Sequence, residues 1–463
     1  MRLDTRVIGA IAAAGLMAAC DSDNDGTPRN IDPPGVEVVF VHAVPDAPDV
    51  NIRAGSIFAA VNLEYRESNA LELEPGTTSV SVEANTPGGA VTVIGPVDID
   101  FDLDTTYAII ASGEVDPMGE PIAPIVLTNP KAEVGAGNAR VEVVHAAPNA
   151  PPVDIFVTAP GEPLSGASPI VGGSTPFGAS SGQIEVPAGD YQIRVTLPST
   201  PQPLFDSGAV ALPEGADLLI VAEDNTGPGA APIILFVASN EGYFEILDSG
   251  TPADVRVVHA VPDAPPVDVY VNDSMAIGSP AIPNLAYAAA APGTNDYVSL
   301  DAGTTNVLVT AAGDTGVIAI PATDIDLEAG QQYTIYATGT LAGGIEPLIV
   351  ADDDRAVATE TRVRILHLSP SAGPVDIYVT APMTDIADID PTFAGVTLRQ
   401  ETGYVELAGG SYDVTVTIAD TKTAAIGPVT ISLSDGGVYT AAARDPDPGV
   451  ANDTFGLILL DDF

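Results

Sequence analysis

The chain has 463 residues, with 63 Asp and Glu against 15 Lys and Arg and a formal net charge of −48. Such a surplus of carboxylates repels nucleic-acid phosphates and anionic lipid head groups, so nucleic acid is excluded as a partner. Tryptophan is absent and the single cysteine is Cys20, so no disulfide can staple the fold.

Residues 1–20 read as a processing signal. Arg2 and Arg6 precede an apolar run from Val7 to Ala19, shorter than the roughly 20 apolar residues that a permanent span requires. Leu16-Met17-Ala18-Ala19-Cys20 resembles the bacterial lipobox, which makes Cys20 the expected lipidation site. A lone cysteine fits that use, because an oxidising compartment offers it no disulfide partner. No other stretch is long and apolar enough to cross a bilayer. Membrane contact is therefore expected through the lipid anchor only, on an exported protein of the bacterial cell envelope that faces the periplasm or the surface.

Residues 21–35 form an acidic tether. Asp21, Asp23 and Asp25 match the opening of a D-x-D-x-D-G Ca²⁺ loop, with Asp32 at the twelfth position. No helical pattern flanks them, and a polar tether is expected directly after a lipidated cysteine. They stand as the Ca²⁺ candidate of the chain, and no other cofactor is expected.

Beyond the tether one phrase comes round four times: FVHAVPDAPDVNI, VVHAAPNAPPVDIFV, VVHAVPDAPPVDVYV and ILHLSPSAGPVDIYV. It carries all four histidines, His42, His145, His259 and His367, at intervals of 103, 114 and 108 residues. Repeats of about 20–50 residues build solenoids, so a period this long marks an array of domains. Pro45, Pro148, Pro262 and Pro370 follow the histidines by three residues. Asp154, Asp268 and Asp376 follow by nine, where the first copy has Asn51. The modules span 36–130, 139–248, 253–353 and 361–463. The joints between them are short and polar, which predicts end-to-end stacking as a semi-rigid rod.

The third module shows the strand pattern, with apolar runs at 255–259, 267–271, 297–300, 306–310, 325–327, 333–338 and 347–350 broken by Gly, Pro, Asn and Asp. Helical periodicity is missing throughout. Turns ending in Gly-Asp-Tyr191 and Gly-Ser-Tyr412 each lead into an alternating strand. The expected fold is all-β: four tandem Ig-like antiparallel β-sandwich modules in a rod-like array. A domain of this size buries about two thirds of its unfolded surface and needs no disulfide.

The recurring His-x-x-Pro-[DNS]-Ala-x-x-[VI]-[DN]-[IV] phrase, with the Gly-x-Tyr strand downstream, resembles the DUF4397 family. The resemblance covers nearly all of the chain beyond the tether in four copies. It implies an extracytoplasmic β-sandwich of bacterial envelope proteins and brings no chemistry with it.

Strand alternation aims every histidine inward, in phase with Val255 and Val257 in the third module, while Arg256 faces out. An inward imidazole needs a partner, either a carbonyl in the proline-rich turn or the Asp or Asn nine residues on. A zinc site needs three or four ligands, and one histidine without cysteine does not supply them. An acid–base pair fails for another reason. The residue four after the histidine is Asp46, Asn149, Asp263 or Ser371, so half the copies lose the carboxylate.

Gly178-Ala179-Ser180-Ser181-Gly182 matches the G-x-S-x-G nucleophile elbow, but it precedes a strand where the motif requires a helix. Asp352-Asp353-Asp354 and Asp445-x-Asp447 read as solvated acidic loops, with an inter-module Ca²⁺ as the alternative. Tyr270 and Tyr378 lie out of phase with the core and are expected to pack on the opposite sheet or a neighbouring module.

These features predict a lipid-anchored envelope protein, not an enzyme, that acts in binding, adhesion or spacing. Its partner would be an envelope or extracellular protein or a glycan. The alternatives are a Ca²⁺-stabilised surface adhesin and an accessory module or enzyme of polysaccharide turnover.

Overall fold

The computed structural model describes residues 35–462 except 117, 171–172, 240–241 and 273–277. Cys20 and the Ca²⁺ candidate Asp21, Asp23 and Asp25 lie outside the described residues. Among those described there is no α-helix, and the chain folds into four β-sandwiches of two sheets each.

In the first module the histidine strand Val36–Ala43 sits between Glu67–Leu73 and Thr105–Ser112, with Ala123–Pro130 beyond. The facing sheet runs Ile57–Leu63, Val50–Ala54, Gly76–Thr86 and Gly89–Phe101 in spatial order. Val36, Val38 and Phe40 alternate inward and meet Ile52, Val80, Val82 and Ile109 in one core. The fourth module repeats this topology, and the second and third vary it at their edges. In the third, the edge strand is split into Ala290–Ala291 and Val298–Leu300.

Antiparallel ladders dominate, but each module contains one parallel ladder. The histidine strands Val36–Ala43, Asn138–His145, Ala253–His259 and Thr361–His367 each pair in parallel with the strand that returns last from the facing sheet. The chain crosses to the second sheet and back between these two strands, which supplies the long connection a parallel pair requires.

The modules do not stack end to end as their short joints suggested. Modules 1 and 2 pack sheet on sheet, through the outer faces of their histidine strands and parallel partners. Val41, Ala43 and Ile110 meet Val144, Ala146, Val221 and Phe236 there in a closed apolar layer. Modules 3 and 4 pack the same way, through Val258, Ala260 and Tyr336 against Leu366, Leu368 and Ala442. The physical reason is in the strands themselves. Toward their C-terminal ends, and just past the end at Ala146, these strands put Val41, Ala43, Val144 and Ala146 on the outer face, and this apolar set must also leave water.

The two pairs also touch. Arg355, between modules 3 and 4, donates from Nη1 to the carbonyls of Ala47 (2.7 Å) and Pro45 (3.3 Å), and the Ala358 amide donates to the Asp46 carbonyl at 2.8 Å.

Candidate functional site

The repeated phrase builds the same corner four times. Each histidine strand ends in a turn closed by an amide three residues on: Ala47 to Val44, Ala150 to Ala147, Ala264 to Val261 and Ala372 to Ser369. Pro45, Pro148, Pro262 and Pro370 take the second position of these turns, where a φ fixed near −65° is already correct.

All four histidines are buried, with exposures of 0–1%. Nε2 lies 3.1 Å from the Pro48 carbonyl in His42, 3.2 Å from Pro151 in His145, 3.2 Å from Pro265 in His259 and 2.6 Å from Gly373 in His367. Nδ1 accepts the amide two residues on from Val44 (3.4 Å), Val261 (3.2 Å) and Ser369 (3.2 Å). A nitrogen that accepts an N–H carries no proton, so Nε2 holds it and donates to the carbonyl. The ring is neutral. Burial pushes the His42 pKa down to about 4 and lowers those of His145 and His259. In His145, Nδ1 has no partner among the described residues.

Three of the imidazoles meet an aromatic edge-on, Tyr65, Phe177 or Tyr287, at centroid distances of 6.2, 6.4 and 6.1 Å. Each histidine carbonyl receives the amide of a residue with positive φ: Arg66, Gly178, Ala288 or Arg399.

The acid nine residues on is a clamp. Asp268 accepts the Asn284 amide on Oδ1 and the Gly313 amide on Oδ2, both at 2.8 Å. Asp376 does the same for Gly395 and Asp420 at 2.8 and 2.9 Å, and Asp154 for Ser174 and Ser199 at 2.8 and 3.3 Å. All six donors sit at positive φ, so one carboxylate holds two left-handed turns from separate hairpins. Asn51 keeps half of this arrangement, accepting the Asn62 amide at 2.9 Å and donating to Asn85.

The residue four after the histidine follows an exchange that the spacing conceals. Asp46 accepts the amides of Val115 and Asp116, and Asp263 accepts that of Leu341, all from the hairpin after the parallel partner strand. Asn149 and Ser371 instead donate to Asp224 (2.9 Å) and Asp445 (2.9 Å), which stand two residues past the parallel partner of the histidine. Gly113 and Gly339 occupy those places in modules 1 and 3. A Cβ on Gly113 would meet the Pro121 carbonyl at 2.6 Å, and its φ is +114°. The carboxylate is present once in every module, on one strand or the other.

Ser180 of the G-x-S-x-G stretch donates to Glu142 and forms a bridge with Val144 at the edge of the histidine strand. It lies on no strand-to-helix turn and has no imidazole partner. Tyr270 and Tyr378 are buried, the latter beneath Lys422, whose Nζ donates to its hydroxyl at 3.0 Å.

The expectation of solvated acids at 352–354 is corrected for Asp352, while Asp353 is exposed. Asp352 is buried at the seam of modules 3 and 4, where positive partners outweigh hydration. Arg364 and Arg256 both reach it, the latter at 3.5 Å. Asp462 reciprocates, close to Arg256 and 3.7 Å from Arg364. Thr334 accepts from Arg256 and donates to Asp352, while Thr440 accepts from Arg364 and donates to Asp462. Tyr297 and Tyr404 close the set, each donating at 3.0 Å to one of the two acids. Each module thus offers an Arg–Thr–Asp set and exchanges its acid with the other, as an isologous contact does. Sequence reasoning missed this network. Its signal was an outward arginine three residues before the histidine in modules 3 and 4, in a chain with few cations.

At the seam of modules 1 and 2 the matching positions hold Val39 and Glu142, and charge gathers at the end of the seam. Tyr65 and Arg66 donate to the Asp224 carbonyl at 2.9 and 2.7 Å. Glu223 beside them is fully buried, with both carboxylate oxygens unpartnered among the described residues. Burial raises its pKa well above the usual carboxylate range and brings that of Asp224 to about 6. Among the described residues no group of three or more His, Cys, Asp or Glu side chains could hold a metal ion. No described helix is long and apolar enough to cross a membrane.

Residues 36–156 and 253–378 match a family described as "Domain of unknown function (DUF4397)", each match taking in two histidine phrases. No curated protein matches the chain in sequence. Among solved structures, the TIE protein of Bacillus anthracis is similar over 88% of this chain and 67% of its own, at 10% identity and a TM-score of 0.16. A streptococcal ancillary pilin is similar over 64% of this chain and 95% of its own, at 10% identity and a TM-score of 0.14. At those scores neither likeness carries an argument about role.

Proposed function

The chain belongs to the DUF4397 family, and from that premise we propose that it is a lipid-anchored protein of the bacterial cell envelope whose paired sandwiches act as a non-catalytic binding or structural platform. One observation carries the reading. The repeated polar groups are engaged in holding their own corner: imidazole to the turn carbonyl, the acid nine residues on to two left-handed turns, and the residue four on to the facing hairpin. A repeated active site would keep an acid, base or nucleophile turned toward a cleft. Here the imidazole and the acid nine residues on are buried in the fold, and the residue four on, exposed in modules 2, 3 and 4, changes between Asp, Asn and Ser from copy to copy, which suits recognition more than repeated chemistry.

The anchor rests on Leu16-Met17-Ala18-Ala19-Cys20 and is tested directly. Cys20→Ser should move the protein from the membrane fraction to the soluble fraction; retention in the membrane fraction would sink the anchor. The purified Cys20→Ser chain should also bind isolated envelopes saturably. Binding that rises without saturation, or none, would remove the recognition role.

A further inference from the structure

The core of module 3 is hollow. Between its sheets lies a cavity of about 140 Å³, and the matching space in module 1 is about 10 Å³. The ladders put the two modules in register and show why. Val257 stands where module 1 has Phe40, each opposite an isoleucine of the parallel strand, Ile335 or Ile109. Val269 stands where module 1 has Ile52, each paired with a valine, Val309 or Val82. The remaining walls barely change, with Val307 for Val80, Ile320 for Ile94 and Ile325 for Ile99.

Modules 2 and 4 lack this combination of losses. Module 4 has Ile365 and Ile377 at the two positions. Module 2 has Val143 and Ile155, and fills the facing sheet with Phe205 where module 3 has Ile320. A void of this size forfeits packing that the core of module 1 retains, at a cost of about 24 cal/mol per Å³.

The cavity also reaches the surface. Its wall includes Val298, which is 44% exposed and lies on the half-strand beyond the break in the edge. Modules 1 and 4 close the same edge with the unbroken strands Glu67–Leu73 and Glu401–Leu407. Among the described residues of the wall, the polar side chains are those of Thr305 and Thr323. Such a space stays dry and takes an apolar guest, and one of about 150 Å³ holds benzene. Its shape is narrow. Wall residues run from Ile320 to Leu327 along a single strand, a reach of about 20 Å, so a slender chain fits it better than a ring. Beside Val298, Ser299 donates to Asp254 at 2.6 Å, and Thr304 on a neighbouring strand donates to Asp326 at 2.6 Å. Carboxylates around the opening disfavour an anionic head group.

We propose that module 3 binds the alkyl chain of a neutral amphiphile, with the tail between its sheets and the head at the Val298 edge. Calorimetric titration of the Cys20→Ser chain with 1-octanol should give saturable binding at one site per chain. Val257→Phe restores the residue of module 1 and should weaken binding by at least about tenfold, equivalent to about 1.4 kcal/mol, with the melting temperature unchanged or raised. Val269→Ile is the milder variant and should shift affinity the same way should the larger ring disturb folding. Octanoate at pH 7 should bind more weakly than octanol. Absence of saturable binding, or octanol affinity that survives both substitutions, overturns the site; equal octanoate affinity overturns the neutral head group.

Discussion

A histidine whose ring nitrogens are both engaged by its own turn is a strut, and its charge state follows from that. In His42, Nδ1 accepts the Val44 amide and Nε2 faces the Pro48 carbonyl, so protonation would break one bond and place a charge in the core. The pKa falls from 6.5 to about 4. Between those values the unfolded chain binds a proton that the native state refuses. The stability that His42 contributes is therefore complete above pH 6.5 and lost as pH falls toward 4. An NMR titration should find this imidazole neutral at pH 5, and a midpoint near 6.5 would contradict the strut. His259→Ala should destabilise module 3 by about 1–3 kcal/mol through the orphaned Pro265 carbonyl, read as a lower denaturation midpoint. The inward phase of these rings is legible in the sequence because a strand has a period of two. The acid that serves the turn is not legible, because in modules 2 and 4 it sits at the end of the parallel partner strand or just past it, at Asp224 and Asp445, more than 70 residues from that turn.

Among the elements, two left-handed positions, one on a strand and one in a hairpin loop, depend on one carboxylate. Asp268 ends a chain of small choices: proline sets the turn, the turn aims the next strand, and the strand carries the carboxylate to the irregularity at Asn284 and the hairpin loop at Gly313. Both donors, Asn284 and Gly313, have positive φ, a conformation costly for the asparagine without external support. Asp268→Ala should cost about 3–6 kcal/mol, since the carboxylate accepts two amides and each hydrogen bond to a charged acceptor contributes about 1.5–3 kcal/mol. Amide exchange should accelerate at Asn284 and Gly313 before the rest of the module. Exchange unchanged at both sites would show that the turns hold themselves. The strand pattern foretold most ladders of module 3, yet it missed Ile282–Leu285 and the split of the edge. Those segments read AIPNL and AAAPG, where proline and alanine mask the alternation that marks a strand.

Across the whole molecule, the sandwiches form pairs because the C-terminal ends of their histidine strands carry apolar side chains on the outer face as well, and pairing takes that second set out of water. That property was visible in VEVVFVHA, but short joints favoured a rod, and joint length does not report which face is sticky. The two seams then differ in how they use charge. Modules 1 and 2 leave Glu223 buried and unpaired at the end of an apolar seam, while modules 3 and 4 bury two arginines and two aspartates in exchange. Removing one member of such a set strands the others, at a cost of about 3–5 kcal/mol, whereas replacing a complete pair by apolar residues is often neutral. Arg256→Met should therefore destabilise the second pair severely, and Arg256→Met with Asp462→Leu should recover part of the loss. A denaturation cycle over the two single variants and the double measures the coupling, and strictly additive losses would show that the contact across the seam contributes nothing. Coupling between Arg256 and Asp462, residues 206 apart in sequence, would make modules 3 and 4 one cooperative unit, so that recognition acts through paired sandwiches and not through beads on a string.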